Sequence, residues 1–373
     1  MEKPIYFDYN STTPVSDRVM EKMMPYFQRH FGNAHSALHS YGWEADGAQE
    51  VARNQVAKLF NCSSDEIVFN SGATEGINTV LQGLFYKFEN YRNHIITCKT
   101  EHSAVYECCK FLESRGAAVT YLDVNQEGLI DLDELKASIT DQTFLVAIMM
   151  ANNETGVVQD VKSIGEIAHR YGLIFFSDTT QACGKIPLDV QDLGIDAAVV
   201  SGHKIYGPKG VGALFLRRRG PRVTPFPLLF GGGQEKDLRG GTINVAGIVG
   251  LGEACMDAQE NLDQFAKLAK WQTKIEEEII QIGMDINGGA NRLPNVSSIV
   301  LPFNAFDFIK RNQDKIALSL GSACSSGSGK PSRVLTAMFK EKTRVKNSVR
   351  ISLGKMTKEE EVLKLISLLK QAW

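Results

Sequence analysis

Ser201-Gly202-His203-Lys204-Ile205-Tyr206-Gly207-Pro208-Lys209-Gly210 lies between two apolar runs, 197–200 before it and 211–216 after it. Runs of that length and composition read as strands. Lys204 is thereby placed at the mouth of a strand, among residues small enough for another body to approach closely. Lysines are ordinarily solvated, and one kept in apolar surroundings shifts toward the neutral amine. Such an amine can attack an aldehyde and form a Schiff base. Taken alone, a solvent-facing lysine at a strand end is the commoner case. Gly202 and Gly207 also have the spacing of a phosphate loop. Pro208 follows where that motif needs Lys-Ser/Thr, however, and no long helical pattern comes next.

Outward from this stretch the pattern is α/β. Strands are expected over 66–70, 94–99, 119–124, 144–151 and 173–177, and helices over 73–88, 103–115, 132–139 and 164–171. Alternation at this spacing implies a mostly parallel sheet covered by helices. Ligands of such sheets bind beyond the carboxyl ends of the strands. The polar residues that look out of place follow those strands: Ser71 to Thr74, His102, Asn152 to Glu154, Asp178 to Gln181, and Ser201 to Lys204. Five strand ends are expected to converge on one crevice. Residues 226–242 read as a loop-rich crossing, and 248–282 as one long helix or two in series. The remainder mixes short strands (297–301, 349–353) with helices. These patterns give a large α/β domain over 16–255, and a smaller α+β domain from 1–15 and 256–373.

Composition narrows the function. The chain has 373 residues, 43% hydrophobic and 23% charged, with 41 basic against 43 acidic side chains. Near-neutral charge gives no global field for nucleic acid, and direct nucleic-acid binding is not expected. The N-terminus MEKPIYFDYN has no apolar signal core, and no apolar run nears the ~20 residues of a membrane span. A cytoplasmic protein without membrane contact is expected. Seven scattered cysteines without C-x-x-C spacing fit free thiols in a reducing compartment. Cys108 and Cys109 share a helix face with Val105 and Leu112 and read as core. His35 and His39 are four apart, but Gly32 and Asn33 make their stretch a loop, which argues against a metal face.

In order, YFDYNSTTP (6–14), SGATEG (71–76), TEHSAV (100–105), ANNETGVVQD (151–160), DTTQACGK (178–185), SGHKIYGPKG (201–210), RGGT (239–242), GSACSSGS (321–328) and VRISLG (349–354) span nearly the whole chain. Together they resemble the cysteine desulfurases of the NifS/IscS-like group, within the fold-type-I enzymes that use pyridoxal phosphate. Each motif alone is weak to moderate; their order is specific. The resemblance implies a fold-type-I α/β transferase that converts L-cysteine to L-alanine and holds the sulfur as a persulfide for an acceptor protein. That acceptor would serve iron–sulfur assembly or nucleic-acid thiolation, including DNA phosphorothioate modification. Housekeeping members carry a C-terminal extension, whereas here the sequence stops at Trp373 soon after a last helix, which favours a dedicated route.

The cofactor needs a lysine for its aldehyde and an anion for its ring nitrogen. Lys204 suits the first and Asp178 the second. A carboxylate ~4 Å from that nitrogen, at an effective dielectric of ~20, contributes roughly 4 kcal/mol, or about three pKa units. Gly72, Ala73 and Thr74 at a helix start offer N–H groups and a hydroxyl to the phosphate. The resemblance adds Ser201 and His203, and Thr242 from a second subunit, hence a homodimer. It makes His102 the histidine that stacks on the ring and assists proton transfer. It also makes Asn153 and Gln181 bond the ring hydroxyl and the substrate side. Strand alternation sets Arg350 opposite Val349, Ile351 and Leu353, where its fork can match a substrate carboxylate. Cys324 lies in a Gly/Ser stretch from which no core could be built, so its thiol is expected to be exposed and able to travel. Rival readings are a selenocysteine lyase, a cysteine sulfinate desulfinase, or a sulfur-relay subunit loaded by another enzyme.

Overall fold

Residues 3–220, 222–321 and 331–371 are described by the structure, a computed structural model. A short strand, β1 (Ile5–Tyr6), precedes the central sheet. That sheet comprises β2 (Ile67–Asn70), β3 (His94–Cys98), β4 (Ala118–Leu122), β5 (Thr143–Ala147), β6 (Ile174–Asp178), β7 (Ala197–Ser201) and β8 (Gly212–Leu216). Its order is β2-β8-β7-β6-β5-β3-β4. The β3–β4, β3–β5, β5–β6 and β6–β7 pairings are parallel, while β8 runs against both β2 and β7. Every residue of β5, β6, β7 and β8 is buried. A sheet covered on both faces needs apolar side chains on both, which is why these strands read as continuous runs and not as alternation.

Helices cover the two faces. On one, Ile77, Val80, Leu81 and Leu84 of helix Ala73–Phe88 pack with Val199 and Leu214. Cys108 and Cys109 join this cluster, as expected for core residues. Gly76 lets that helix approach, since a Cβ there would lie 2.7 Å from Val199 Cγ1. On the other face, helices Ser40–Phe60, Val161–Arg170 and Val245–Glu260 pack with Phe175, Ile195 and Phe215. His39 caps the first of these, its Nδ1 accepting from Gly42 N–H. Among the described residues no group of His, Cys, Asp or Glu is arranged for a metal, and no helix is long and apolar enough to cross a membrane.

A third cluster unites Phe7, Phe265, Leu268, Ile275, Ile299, Ile351 and Leu365. It lies against a three-stranded antiparallel sheet, β9 (Asp285–Asn287), β10 (Val296–Val300) and β12 (Ser348–Ser352), in the order β12-β10-β9. The remaining strand, β11 (Ile316–Ala317), pairs with β1. The helical stretch expected over 248–282 is two helices, Val245–Glu260 and Gln264–Gln281. Asn261 bonds back to the Asp257 carbonyl and ends the first.

The 226–242 crossing is pinned by a buried ion pair. Glu235, Lys236 and Asp237 all have left-handed backbone (φ 47°, 59° and 64°), a conformation that costs about 1–2 kcal/mol per residue. The Glu235 carboxylate compensates. It takes Arg53 NH1 and NH2, each at 2.8 Å, and the Phe69 N–H at 2.7 Å. Both side chains are almost wholly buried. Removing one partner of such a pair leaves the other charge desolvated and alone. Glu235→Ala is therefore expected to lose about 3–5 kcal/mol of stability, read as a lower urea midpoint; an unchanged midpoint would show that the pair does not hold the crossing.

Candidate active site

Because β2, β3, β5, β6 and β7 run the same way, the turns after them meet at one end of the sheet. They surround a cleft of about 590 Å³, a size typical of small-molecule sites. Ser71 to Thr74, His102, Asn153, Asp178, Thr180, Gln181, Ser201, His203 and Lys204 all line it. The convergence expected from the sequence is present.

Lys204 lies in a single 3₁₀ turn, Gly202–Lys204, directly after β7. Its setting differs from the apolar one expected. The side chain is half-buried, and Nζ donates to the backbone carbonyls of Asn10 at 2.6 Å and Ser11 at 2.7 Å. The amine is thus held by polar groups as well as by its neighbours. Those carbonyls belong to an N-terminal segment that crosses the strand ends. Three bonds fix it there: Thr13 N–H to the His203 carbonyl, Tyr206 N–H to Thr13 Oγ1, and Asn10 N–H to Ser352 Oγ.

One end of the cleft is built for an anion. Gly72 has φ 143°, outside the range comfortable for other residues, and opens helix Ala73–Phe88 with no capping side chain. The first N–H groups of that 16-residue helix, which carries a positive N-terminal dipole, are left for a ligand. Ser201 and His203 stand beside them. Burial pushes His203 down to about 4, with Lys204 and Lys209 adding to the effect, so the ring is neutral near pH 7. Its Nδ1 lies 3.1 Å from Thr12 Oγ1.

Asp178 closes β6, buried, with Oδ1 accepting from Thr180 N–H at 2.9 Å. His102 caps helix Ser103–Glu113 through Nδ1, which accepts from Ala104 N–H, so a proton on the neutral ring sits at Nε2. Burial lowers the pKa of His102; Asp178 opposes this, and Lys204 and Arg333 reinforce it. Thr180 Oγ1 is buried in the cleft wall and finds no partner among the described residues. An orphaned hydroxyl in a polar pocket marks a place for a ligand atom.

Arg350 is 2% exposed, so it is not a solvated side chain of an edge strand. Val349, Ile351 and Leu353 face the third apolar cluster while Arg350 lines the cleft. Its fork is already engaged. NH1 donates to the Asn153 carbonyl at 2.8 Å, and NH2 to Asp8 Oδ1 at 2.6 Å and Ser11 Oγ at 2.7 Å. Nε has no acceptor among the described residues. Asn153 and Gln181 are buried in the wall. Thr242 is exposed and does not line this cleft. Cys324 lies outside the described residues.

Several site residues have no signal of their own in the sequence. Asn10, Ser11 and Thr12 look like ordinary polar residues of an extended start, yet they form one wall. Glu101, beside His102, is fully buried. Burial pushes its carboxyl up to about 8, against the pull of the Met149 N–H bond at 2.5 Å and with the Asp178 charge adding. Position within the TEHSAV and YFDYNSTTP motifs was the one available hint.

The model of the class-V aminotransferase family matches residues 5–365. The cysteine desulfurase IscS of Ehrlichia chaffeensis is 44% identical over 364 residues, covering 96% of this chain and 88% of that protein. The corresponding protein of Rickettsia massiliae is equally similar, at 44% identity and the same coverage. Among solved structures, a NifS-like protein superposes with a TM-score of 0.91 at 37% identity, over 99% of both chains. A structure described as SspA in complex with cysteine superposes with a TM-score of 0.83 at 38% identity, over 94% of this chain and 98% of that one. Likeness of this extent, on a fold whose strand ends gather one lysine among an anion cradle and a buried aspartate, means that the chain belongs to the class-V aminotransferase family, in its cysteine desulfurase group.

Proposed function

We propose that this protein is a cysteine desulfurase that uses pyridoxal 5′-phosphate, takes L-cysteine to L-alanine, and passes the sulfur to an acceptor protein. The observation that supports this most is the position of the Lys204 amine, in one cleft with an uncapped helix start and the buried Asp178. Those features suit a ligand with a phosphate, an aldehyde and a basic ring nitrogen. When bound, the cofactor supplies an aldehyde carbon that amines can join and a ring that accepts the electrons of a broken Cα–H bond.

The remaining chemistry falls to the chain. Gly72, Ala73, Thr74, Ser201 and His203 would hold the phosphate, joined by Thr242 of a second copy. Asp178 would keep the ring nitrogen protonated. Asn153 and Gln181 would bond the ring hydroxyl and the substrate side. Arg350 would hold the substrate carboxylate. Lys204 Nζ would take the Cα proton and return it, with His102 Nε2 as the neighbouring proton holder.

The sulfur needs a thiolate. Cys62, Cys98, Cys108, Cys109, Cys183 and Cys255 are free thiols, and all but Cys62 are buried. Burial pushes every one of them above the usual thiol range. They are poor nucleophiles, which supports Cys324 as the acceptor. The exchange balances: L-cysteine and the Cys324 thiol give L-alanine and the Cys324 persulfide. A homodimer accounts for large apolar side chains left exposed, among them Leu38 at 94% and Phe230 at 84%. Free thiols and the absence of a membrane-spanning helix among the described residues support a cytoplasmic location. The acceptor belongs to iron–sulfur assembly or to nucleic-acid thiolation.

Lys204→Ala is expected to lose about 10²–10⁴-fold or more of alanine formation, the range for a positioned acid–base group. It should also lose the visible absorbance of pyridoxal phosphate joined to a protein amine; alanine at the wild-type rate would refute the assignment. Cys324→Ser should bind pyridoxal phosphate and cysteine normally, with transferable sulfur falling by about two orders of magnitude or more. Undiminished transfer would move the thiol role elsewhere. Arg350→Lys should raise KM for cysteine about tenfold to hundredfold, since a charged hydrogen bond contributes about 1.5–3 kcal/mol; a change confined to kcat would contradict carboxylate binding. Comparing turnover of cysteine, selenocysteine and cysteine sulfinate separates this activity from a selenocysteine lyase or a sulfinate desulfinase.

A further inference from the structure

Lys185 ends the DTTQACGK motif and lies outside the cleft, in the turn that follows β6. It is 5% exposed. Nζ donates to Gln181 Oε1 at 2.7 Å and to Asn10 Oδ1 at 3.1 Å. No carboxylate offsets its charge among the described residues; the cations Lys204 and Arg350 lie near enough to oppose it. Burial, with these two neighbours adding, drives its pKa well down. A buried lone ammonium is costly, which favours the neutral amine. The neutral amine then has two N–H bonds, and the structure offers two amide oxygens to receive them.

Amide orientation follows from this match. Gln181 Oε1 is drawn toward Lys185, which leaves Nε2 to donate to the Asn10 carbonyl at 3.0 Å. Asn10 Oδ1 is likewise drawn back, so Nδ2 donates to the Asn153 carbonyl at 3.3 Å. The same Asn10 carbonyl receives Lys204 Nζ at 2.6 Å. Flipping Gln181 would set Oε1 against the Asn10 carbonyl, and flipping Asn10 would set Oδ1 against the Asn153 carbonyl, two acceptors with no proton between them.

We propose that Lys185 is a positioning residue: as a buried amine donating to both side-chain amides, it holds Gln181 with its NH₂ on the Asn10 carbonyl that also receives Lys204, and Asn10 with its NH₂ on the Asn153 carbonyl. This rests on reading the cleft as the pyridoxal-phosphate site. It assigns Lys185 no contact with cofactor or substrate.

The test is a double-mutant cycle read by pyridoxal-phosphate affinity, from quenching of the intrinsic fluorescence of the apo-protein. Lys185→Met keeps the length and removes the donors. The change relieves the burial of an amine but leaves Gln181 Oε1 without its donor, so the melting temperature should fall by only a few degrees and the protein should remain folded. Its Kd for pyridoxal phosphate should rise about tenfold, as for loss of one oriented hydrogen bond, and the visible absorption maximum of the loaded protein should move. Gln181→Met should have a similar effect. The double variant should be about tenfold weaker, not about hundredfold, because both changes remove one interaction. Lys185→Gln, which keeps an uncharged NH₂ donor, should recover part of the affinity and serves as the second variant if Lys185→Met does not fold. Multiplicative losses, or a Lys185→Met protein with unchanged Kd and absorption maximum, overturn the proposal while leaving the site reading intact. A wild-type protein that takes up no pyridoxal phosphate overturns both.

Discussion

A backbone carbonyl is an obligatory acceptor, and that of Asn10 is the point on which this cleft closes. It receives Lys204 Nζ and Gln181 Nε2, while the Asn10 side chain reaches Lys185 and the Asn153 carbonyl. An extended N-terminal segment thus aligns the amine, one wall amide and the loop after β5. The parallel sheet supplies the strand ends, but strand ends alone leave their turns independent. Fastening an extended N-terminal strip across them turns separate turns into one rigid surface, with donors and acceptors accounted for by the fold.

Charge is arranged around the same strip. The protein as a whole is nearly neutral, at −2, yet Lys204, Lys209 and Arg350 all line the cleft. Asp178 also lines it, and Asp8 pairs with Arg350 from the N-terminal strip. This local positive field draws an anionic ligand inward. Burial, with Lys204 adding to it, favours the neutral form of the nearby imidazoles of His102 and His203. Neutral rings can both donate and accept, which a stacking or relaying histidine requires. Glu154 extends the balance to the rim: it is buried beside Arg350 and Arg333 and accepts from Ser332 Oγ at 2.5 Å.

The cysteines show the same logic in reverse. Inside the apolar clusters a thiol behaves as a small hydrophobe and is kept from ionising. Six of the seven have that environment or something close to it. The composition around Cys324 is of the opposite kind, small and polar.

Periodicity and turn chemistry made the α/β class, the strands of the sheet and the residues after their ends legible, because both are properties of neighbouring positions. The expected strand over 144–151 is shorter, Thr143–Ala147, since the apolar run continues past the last ladder bond as cleft wall. The reversal of β8 and the break at Asn261 carry no comparable local mark. Lys204, Asp178 and His102 could be singled out by motif, but not the surroundings that give them their chemistry. The amine and the carbonyl that holds it are 194 positions apart, and Arg350 and Asp8 are 342 apart. Contacts across such separations come from closing long loops over a packed sheet. Local pattern therefore identifies which residues carry chemistry, and packing alone sets their partners, orientation and protonation.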